Sequence, residues 1–286
     1  MPELPEVETI KEGLRNSLIG QKILKVNLSK KKLRFPYDKD FKRSISNKKI
    51  IDITRRAKYI LFSLSNGFTI ISHLGMSGSY RIIEKSEKRD LKRLKHDHVI
   101  INLEDFIVIY NDPRRFGYIL LTNKPLSEYK LINYLGFEPL SKDFNAENIA
   151  KVFHNKDRNI KNALMDQKII AGLGNIYVCE AMFRAKVSPF LLAKDLVCEN
   201  LKPKRHLKEL VDNIKIIIRE AINMGGSSLR DYTQTDGRMG YFQNAFDVYG
   251  REGKICSSKN CSHLIMRITQ SNRSTFFCPG CQKNWD

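Results

Sequence analysis

The chain has 286 residues, of which 42% are hydrophobic, and this predicts a substantial core divided into two domains with a small appendage. No apolar run approaches the roughly 20 residues of a membrane span, and the acidic start is unlike a signal peptide, so we expect a cytoplasmic protein without membrane segments. Fifty Lys and Arg against 31 Asp and Glu give a net charge of +19, which indicates a polyanionic partner, with nucleic acid as the leading candidate.

A general lysine excess, typical of an AT-rich organism, could account for part of this charge. The run Lys30-Lys31-Lys32 fits that explanation. The arginines in the motifs described below do not, so we expect both causes to contribute.

The first predicted element is a helix, because Val7, Ile10, Leu14 and Leu18 recur at helical spacing before Gly20. Short, often β-branched segments follow, separated by turns such as Asn66-Gly67, and they predict an antiparallel sandwich or barrel. These strand-like segments cover 22–28, 49–54, 59–64, 68–72, 80–84, 98–103, 106–110 and 118–122.

After Pro125 the pattern changes to helices, at about 126–134, 146–153, 160–165, 176–184 and 203–224. The last helix keeps one apolar face and is expected to stop at Gly225-Gly226. Residues 225–250 hold five glycines with little periodicity, which predicts a mobile functional loop.

The start of the chain suggests covalent chemistry. If Met1 is removed, Pro2 becomes a terminus whose secondary amine is a potential nucleophile, and the adjacent Glu3 could move protons. The alternative is that Pro2 merely precedes a helix, with Pro5 and Glu6 in its first turn and acidic side chains at the positive end of its dipole.

Four of the six cysteines lie in the last 31 residues, as Cys256-x4-Cys261-x16-Cys278-x2-Cys281. Two close pairs separated by a strand-like insert predict a tetrahedral site for one structural Zn²⁺ on a β-hairpin. Disulfides are the alternative, but a cytoplasmic protein disfavours them. Four thiolates leave no open position for a substrate, so catalysis by the metal is not expected.

Taken together, these features resemble the formamidopyrimidine-DNA glycosylase family, over nearly the whole chain. The resemblance lies in PELPEVET at 2–9, RRAKY at 55–59, HLGMSG at 73–78, KHDH at 95–98, DPRRFG at 112–117, LGNIY at 173–177 and DGRMGYF at 236–242. The related endonuclease VIII type enzymes lack the DPRRFG block, which favours the oxidised-purine branch. The first cysteine pair departs from the family, being spaced by four residues where many members have two.

The resemblance implies an α+β fold. Its parts would be an N-terminal antiparallel β-sandwich with an N-terminal helix at 1–130, a helical helix-two-turn-helix domain at 131–240, and a β-hairpin four-cysteine zinc finger at 241–286. The implied activity is removal of 8-oxoguanine and formamidopyrimidines from damaged double-stranded DNA by a monomer. Cleavage of the abasic site by β,δ-elimination would follow.

In the catalytic set that the resemblance implies, Pro2 would attack C1′ and form a Schiff base, and Glu3 would transfer protons. Lys58 would hold the phosphate beside the lesion, and Arg273 would grip a phosphate and assist δ-elimination. Predicted DNA contacts are Met76, Arg114 and Phe116, which fill the vacated stack, together with His96, Lys161, Asn175 and either Lys156 or Arg158.

Two other functions stay open at this point. One is an oxidised-pyrimidine glycosylase of the same fold. The other is a non-catalytic zinc-dependent DNA-binding protein, which would not need Pro2 and Glu3 at a free terminus.

The charge leads to a first testable prediction. Because cationic side chains release phosphate counterions, DNA affinity should fall by about 10³–10⁵ between 50 and 200 mM salt if six to ten phosphates are contacted. Fluorescence anisotropy at several salt concentrations measures the slope. A flat dependence would contradict the electrostatic interpretation.

Overall fold

A computed structural model describes residues 2–86, 94–227, 235 and 239–283. The chain divides into two compact units, the first comprising 1–133 with 222–243 and the second 134–221 with 244–286. Much of the loop predicted to be mobile, at 228–234 and 236–238, lies outside the described residues.

The first unit begins with helix α1, Leu4–Leu18. Pro5 lies in its first turn, where a missing N–H costs no hydrogen bond, and the helix ends before Gly20, whose φ of 84° is accessible to glycine. The apolar residues of its inner face, Leu4, Val7, Ile10, Leu14 and Leu18, are at most 1% exposed. The predicted helix is therefore confirmed, and its burial fixes the start of the chain.

Two four-stranded antiparallel sheets follow, with strand orders β1-β6-β7-β5 and β2-β3-β4-β8. Both sheets and α1 contribute side chains to one core. The strands are β1 Lys25–Leu28, β2 Ile50–Arg56, β3 Tyr59–Leu64, β4 Thr69–His73, β5 Ser79–Glu84, β6 Asp97–Asn102, β7 Phe106–Asn111 and β8 Tyr118–Thr122.

All eight predicted strand segments are present, with ends shifted by up to three residues. The pattern missed a short helix, α2 at Phe41–Ile45, because five residues are too few to show helical periodicity. The predicted segment 126–134 is a 3₁₀ turn at Leu126–Glu128 followed by α3 at Lys130–Asn133.

The second unit is helical and carries a terminal hairpin. Its helices are α4 Ala146–Phe153, α5 Ile160–Met165, α6 Asn175–Arg184 and α7 Arg205–Asn223, the last of which extends two residues beyond the unit. The hairpin pairs β9 Met266–Gln270 with β10 Arg273–Phe277. This arrangement confirms the predicted α+β fold. None of the described helices has the length and hydrophobicity that a membrane span requires.

A buried carboxylate ties α6 to the segment that precedes the hairpin. Glu180 is fully buried and accepts backbone N–H groups from Asp247, Val248 and Tyr249 at 2.8, 3.0 and 2.7 Å. Burial raises the pKa of Glu180, against the effect of these three donors. These hydrogen bonds fix the backbone of residues 247–249, which precede the hairpin, against helix α6.

Candidate functional site

The first turn of α1 holds Pro2 and Glu3 in place. Both residues are buried, and Glu3 is only 3% exposed. The backbone N–H of Glu3 donates to Glu6 Oε2 at 2.8 Å, so a residue in the helix fixes the chain directly after Pro2.

The second carboxylate oxygen of Glu6 binds a residue that is distant in sequence but belongs to the same unit. Glu6 Oε1 accepts the backbone N–H of Ser227 at 2.8 Å and its hydroxyl at 3.0 Å. Gly226 has a φ of 79°, and a Cβ there would lie 3.0 Å from the Glu6 side chain. Glu6 therefore joins the first turn of α1 to the residues that lead into the 228–234 segment.

Lys58 lies in the turn between β2 and β3 and is 8% exposed. The preceding Ala57 has a φ of 52°, a left-handed conformation that requires support in a residue with a Cβ. Arg55 supplies it by donating to Ala57 O at 2.9 Å, and its Nε donates to Glu8 Oε2 at 2.6 Å. The turn that carries Lys58 is thereby tied to the helix that carries Pro2 and Glu3.

Glu8 is held as a carboxylate by these contacts. Burial alone would raise its pKa, but hydrogen bonds from Lys11 and Arg55 outweigh burial and lower it. The ion pair with Arg55 therefore persists well below neutral pH.

His73 is a residue that the sequence analysis did not single out. The β3–β4 register places His73 opposite Tyr59. Tyr59 directly follows Lys58 in the chain. The imidazole stacks on Tyr118 with ring centroids 5.1 Å apart and 8° between planes, and its Nδ1 accepts the Gly75 N–H at 3.0 Å. Burial, followed by the charges of Lys58 and Arg34, lowers the pKa of His73 to about 4.

A neutral His73 therefore presents Nδ1 as an acceptor and Nε2–H as a donor at neutral pH. Nothing in the sequence could have revealed this, since a histidine ending a strand is usually an ordinary core residue. The signal appears only when strand pairing brings it beside Tyr59 and Lys58.

Two loops, 74–78 and 112–117, carry the predicted stack-filling residues. Met76 is partly exposed and Phe116 is 47% exposed. The guanidinium of Arg114 lies 4.9 Å from the centroid of the Phe116 ring. An exposed aromatic side chain next to an arginine is suited to stacking on a base rather than to filling a core.

Asp112 fuses these two loops. Its buried carboxylate accepts the Ser77 hydroxyl at 2.6 Å and the Gly117 N–H at 2.8 Å, and the Arg114 N–H lies 3.2 Å from Oδ1. A Cβ at Gly75 would collide with the backbone of Phe116 and Gly117, so the loops pack without space for one. Met76 and Arg114 are thus held by one rigid network.

His96 and His98 both contact the backbone of Asp112. His96 is partly exposed, and its carbonyl accepts the Asp112 N–H at 3.1 Å. His98 is buried between Ser29 Oγ and Asp112 O, both at 3.0 Å, and burial lowers its pKa. His96, the predicted contact, is therefore accessible while His98 is structural.

An open cleft lies beside the 112–117 loop. It is lined by Lys32, Leu33, Arg34, Arg114, Arg115 and Phe116. Its four cations, without a carboxylate among the described lining residues, are suited to a phosphate backbone. Of these residues, Lys32, Arg34 and Arg115 were not predicted as contacts.

In the second unit, the predicted contacts fall into two groups. Lys156 and Arg158 are exposed, and Arg158 pairs with Asp166 at 2.6 Å. Lys161, in contrast, is fully buried. Asn175 begins α6 and donates from Nδ2 to Ser274 O at 2.8 Å, next to the exposed Arg273.

The four cysteines predicted as ligands converge. Their Sγ atoms all lie within 4.8 Å of one another, with 3.8 Å between Cys256 and Cys281 and 3.5 Å between Cys261 and Cys278. A tetrahedron with Zn–S bonds of about 2.3 Å has S···S edges of about 3.8 Å, so the geometry fits this ion. The donor set is therefore suited to a structural metal ion.

Comparisons with known proteins agree with this geometry. Residues 1–119 match the formamidopyrimidine-DNA glycosylase N-terminal domain, and residues 135–233 match the formamidopyrimidine-DNA glycosylase H2TH domain. The chain is 48% identical to the formamidopyrimidine-DNA glycosylase of Agrobacterium fabrum and 47% identical to that of Bartonella tribocorum. Each alignment covers 99% of this chain and the whole relative.

Solved structures give the same result. The Lactococcus lactis FPG mutant G226P, in complex with DNA containing Fapy-dG, is 35% identical with a TM-score of 0.88. MutM in complex with DNA containing carbocyclic 8-oxo-G is 36% identical with a TM-score of 0.85. Both comparisons cover 99% of this chain and all of the other.

The state of His73 gives a second prediction. Between its pKa of about 4 and the usual value of about 6.5, the unfolded chain binds a proton that the native state does not, so acid destabilises the fold. From pH 7.5 to 5.0, the wild type should lose about 2 kcal/mol more unfolding free energy than His73→Phe. Urea unfolding at both pH values measures this, and parallel losses in the two proteins would contradict it.

Proposed function

Because the chain belongs to the formamidopyrimidine-DNA glycosylase family, we propose that it excises oxidised purines, 8-oxoguanine and formamidopyrimidines, from duplex DNA and then cleaves the abasic site. It is a base-excision-repair enzyme with glycosylase and lyase activity, and it binds DNA. The observation that carries the assignment is the fixed first turn of α1. There Glu6 holds the residue after Pro2, and Glu8 ties the same helix to the Lys58 turn.

In the proposed reaction, Met1 is removed and the neutral amine of Pro2 attacks C1′ of the damaged nucleotide. The bond between C1′ and the base breaks, and the base leaves with a proton. An N-terminal amine has an ordinary pKa of about 8, so a usable neutral fraction exists at pH 7. Glu3, one residue away, transfers the proton that opens the sugar ring and leaves the iminium.

The iminium then acts as an electron sink. Loss of a proton from C2′ expels the 3′ phosphate, and a second elimination expels the 5′ phosphate, which leaves a gap with phosphates at both ends. Lys58 holds the phosphate beside the lesion during these steps, and Arg273 assists the second elimination. The half-buried, cation-flanked His73 supports the same site by staying neutral and offering an N–H donor.

The two fused loops serve base extrusion in this proposal. Met76 and Phe116 fill the vacated stack and Arg114 hydrogen-bonds the orphaned base, at a cost of a few kcal/mol for unstacking. Asp112 supports the assignment, because it holds both loops in one network and so fixes the wedge before DNA arrives. His96, Asn175 and either Lys156 or Arg158 would contact the DNA backbone.

One Zn²⁺ would be held by Cys256, Cys261, Cys278 and Cys281. When bound, it supplies folding energy to the hairpin, and no reaction step passes through it. The domain boundaries expected from the sequence, at 130 and 240, and a monomeric state complete the proposal.

Pro2→Gly tests the nucleophile. The variant should lose base release and borohydride trapping on a duplex carrying 8-oxoguanine opposite cytosine, because the secondary amine is gone, while DNA affinity persists. Pro36→Gly, at an exposed proline of the same unit, is the matched control and should behave like the wild type. Trapping that is unchanged in Pro2→Gly would remove Pro2 from this role.

A dihydrouracil duplex run in parallel separates the purine branch from an oxidised-pyrimidine glycosylase. Tight binding of both duplexes without an adduct on either would favour a non-catalytic DNA-binding protein.

Cys261→Ser tests the metal. The variant should lose stoichiometric zinc and, with it, the hairpin and much of the DNA affinity, because the metal supplies the folding energy of so small a segment. Cys198→Ser, a thiol outside the cluster, is the control and should retain both. Metal analysis and anisotropy measure these outcomes, and a zinc-free variant that binds DNA like the wild type would refute the structural role.

A further inference from the structure

Lys161 is a cation enclosed by protein. Its side chain is 0% exposed, and its ammonium donates to Ser274 O at 2.9 Å and to Thr275 Oγ1 at 2.7 Å. Burying an ammonium is costly unless acceptors replace water, and here two acceptors on one strand do so. The lysine therefore serves the strand that carries these acceptors, β10.

The same short stretch of β10 is held from several directions. Ser274 O also accepts the Asn175 side-chain N–H at 2.8 Å. The Thr275 hydroxyl donates to Gln270 Oε1 at 2.8 Å, and Gln270 Nε2 donates to Pro189 O at 2.9 Å. These bonds lock the backbone directly after Arg273 onto α5, α6 and the loop at Pro189.

The hairpin turn is fixed as well. Ser271 and Asn272 have φ values of 47° and 60°, a tight turn of left-handed residues. Asn162, the neighbour of Lys161 on α5, donates to Ser271 Oγ at 2.8 Å. Arg273 is thus bracketed by two anchored positions, while its own side chain is exposed.

Electrostatics agree with this proximity. Burial is the main cause that lowers the pKa of Lys161; the neighbouring Cys179 acts in the opposite direction, and the positive charge of Arg273 lowers the pKa further. Of the two cations, only Arg273 is exposed to solvent.

We propose that Lys161 is a positioning residue for Arg273: it clamps β10 onto α5 so that the guanidinium meets the DNA phosphate, and it does not itself contact DNA. This inference rests on the proposed function. It changes the role expected for Lys161, because an ammonium that is fully enclosed by protein offers no surface to a phosphate.

A double-mutant cycle tests the proposal in the full-length, zinc-loaded protein. Lys161→Met, Arg273→Ala and the double variant are compared on an abasic duplex, by the ratio of δ- to β-elimination products and the rate of each. A small displacement of a catalytic group costs up to about 100-fold in rate, so Lys161→Met should lower δ-elimination by roughly 10- to 100-fold.

If Lys161 acts only through Arg273, Lys161→Met causes no further loss in the Arg273→Ala background. Losses that multiply in the double variant would mean that Lys161 acts on DNA directly and would overturn the proposal. Lys151→Met, at an exposed lysine on α4, is the matched control and should retain the wild-type product ratio.

Zinc content shows whether each hairpin is folded. If Lys161→Met loses zinc, Thr275→Val replaces it, since this removes one acceptor and leaves the ammonium on Ser274 O. The same non-additivity with Arg273→Ala is then expected, and additive losses again overturn the proposal. A wild type that neither excises nor traps would instead refute the proposed function, so the two failures are distinct.

Discussion

A nucleophile at the first residue of a chain has only one covalent neighbour, so its position depends on how the next turn is held. Here the apolar face of α1 is buried in the core, and Glu6 takes the backbone N–H directly behind Pro2. The Glu8–Arg55 ion pair then ties the turn of Lys58 to the same helix. The proposed nucleophile, proton-transfer group and phosphate grip of the first unit thus share one rigid support.

Buried polar side chains perform the same task elsewhere in the protein. Asp112 holds the two loops of the predicted wedge, and Lys161 holds the hairpin that presents Arg273. Each is costly to bury and is retained by strong hydrogen bonds, so each fixes a loop more rigidly than apolar packing alone. The cations proposed to face DNA, such as Arg114 and Arg273, are in contrast exposed and supported from behind.

The sequence predicted much of this architecture, because strand alternation, helical spacing and cysteine spacing are local signals. It could not assign Glu6, His73 or Asp112 a role, since their partners lie far along the chain: Glu6 meets Ser227, and Asp112 meets Ser77. His73 becomes informative only through the β3–β4 register. Lys161 was expected to contact DNA, because the burial of a charge depends on acceptors that its own segment of the sequence does not contain.

The link between Glu6 and Ser227 spans 221 positions in sequence. Closing so long a loop costs conformational entropy, and the packing of the strands that lie between the two residues in sequence must offset this cost. During synthesis, the first turn of α1 leaves the ribosome long before Ser227 exists, so its carboxylate first lacks this partner. The hydrogen bonds that hold the turn behind the proposed nucleophile are therefore completed late, when about four fifths of the chain has been made.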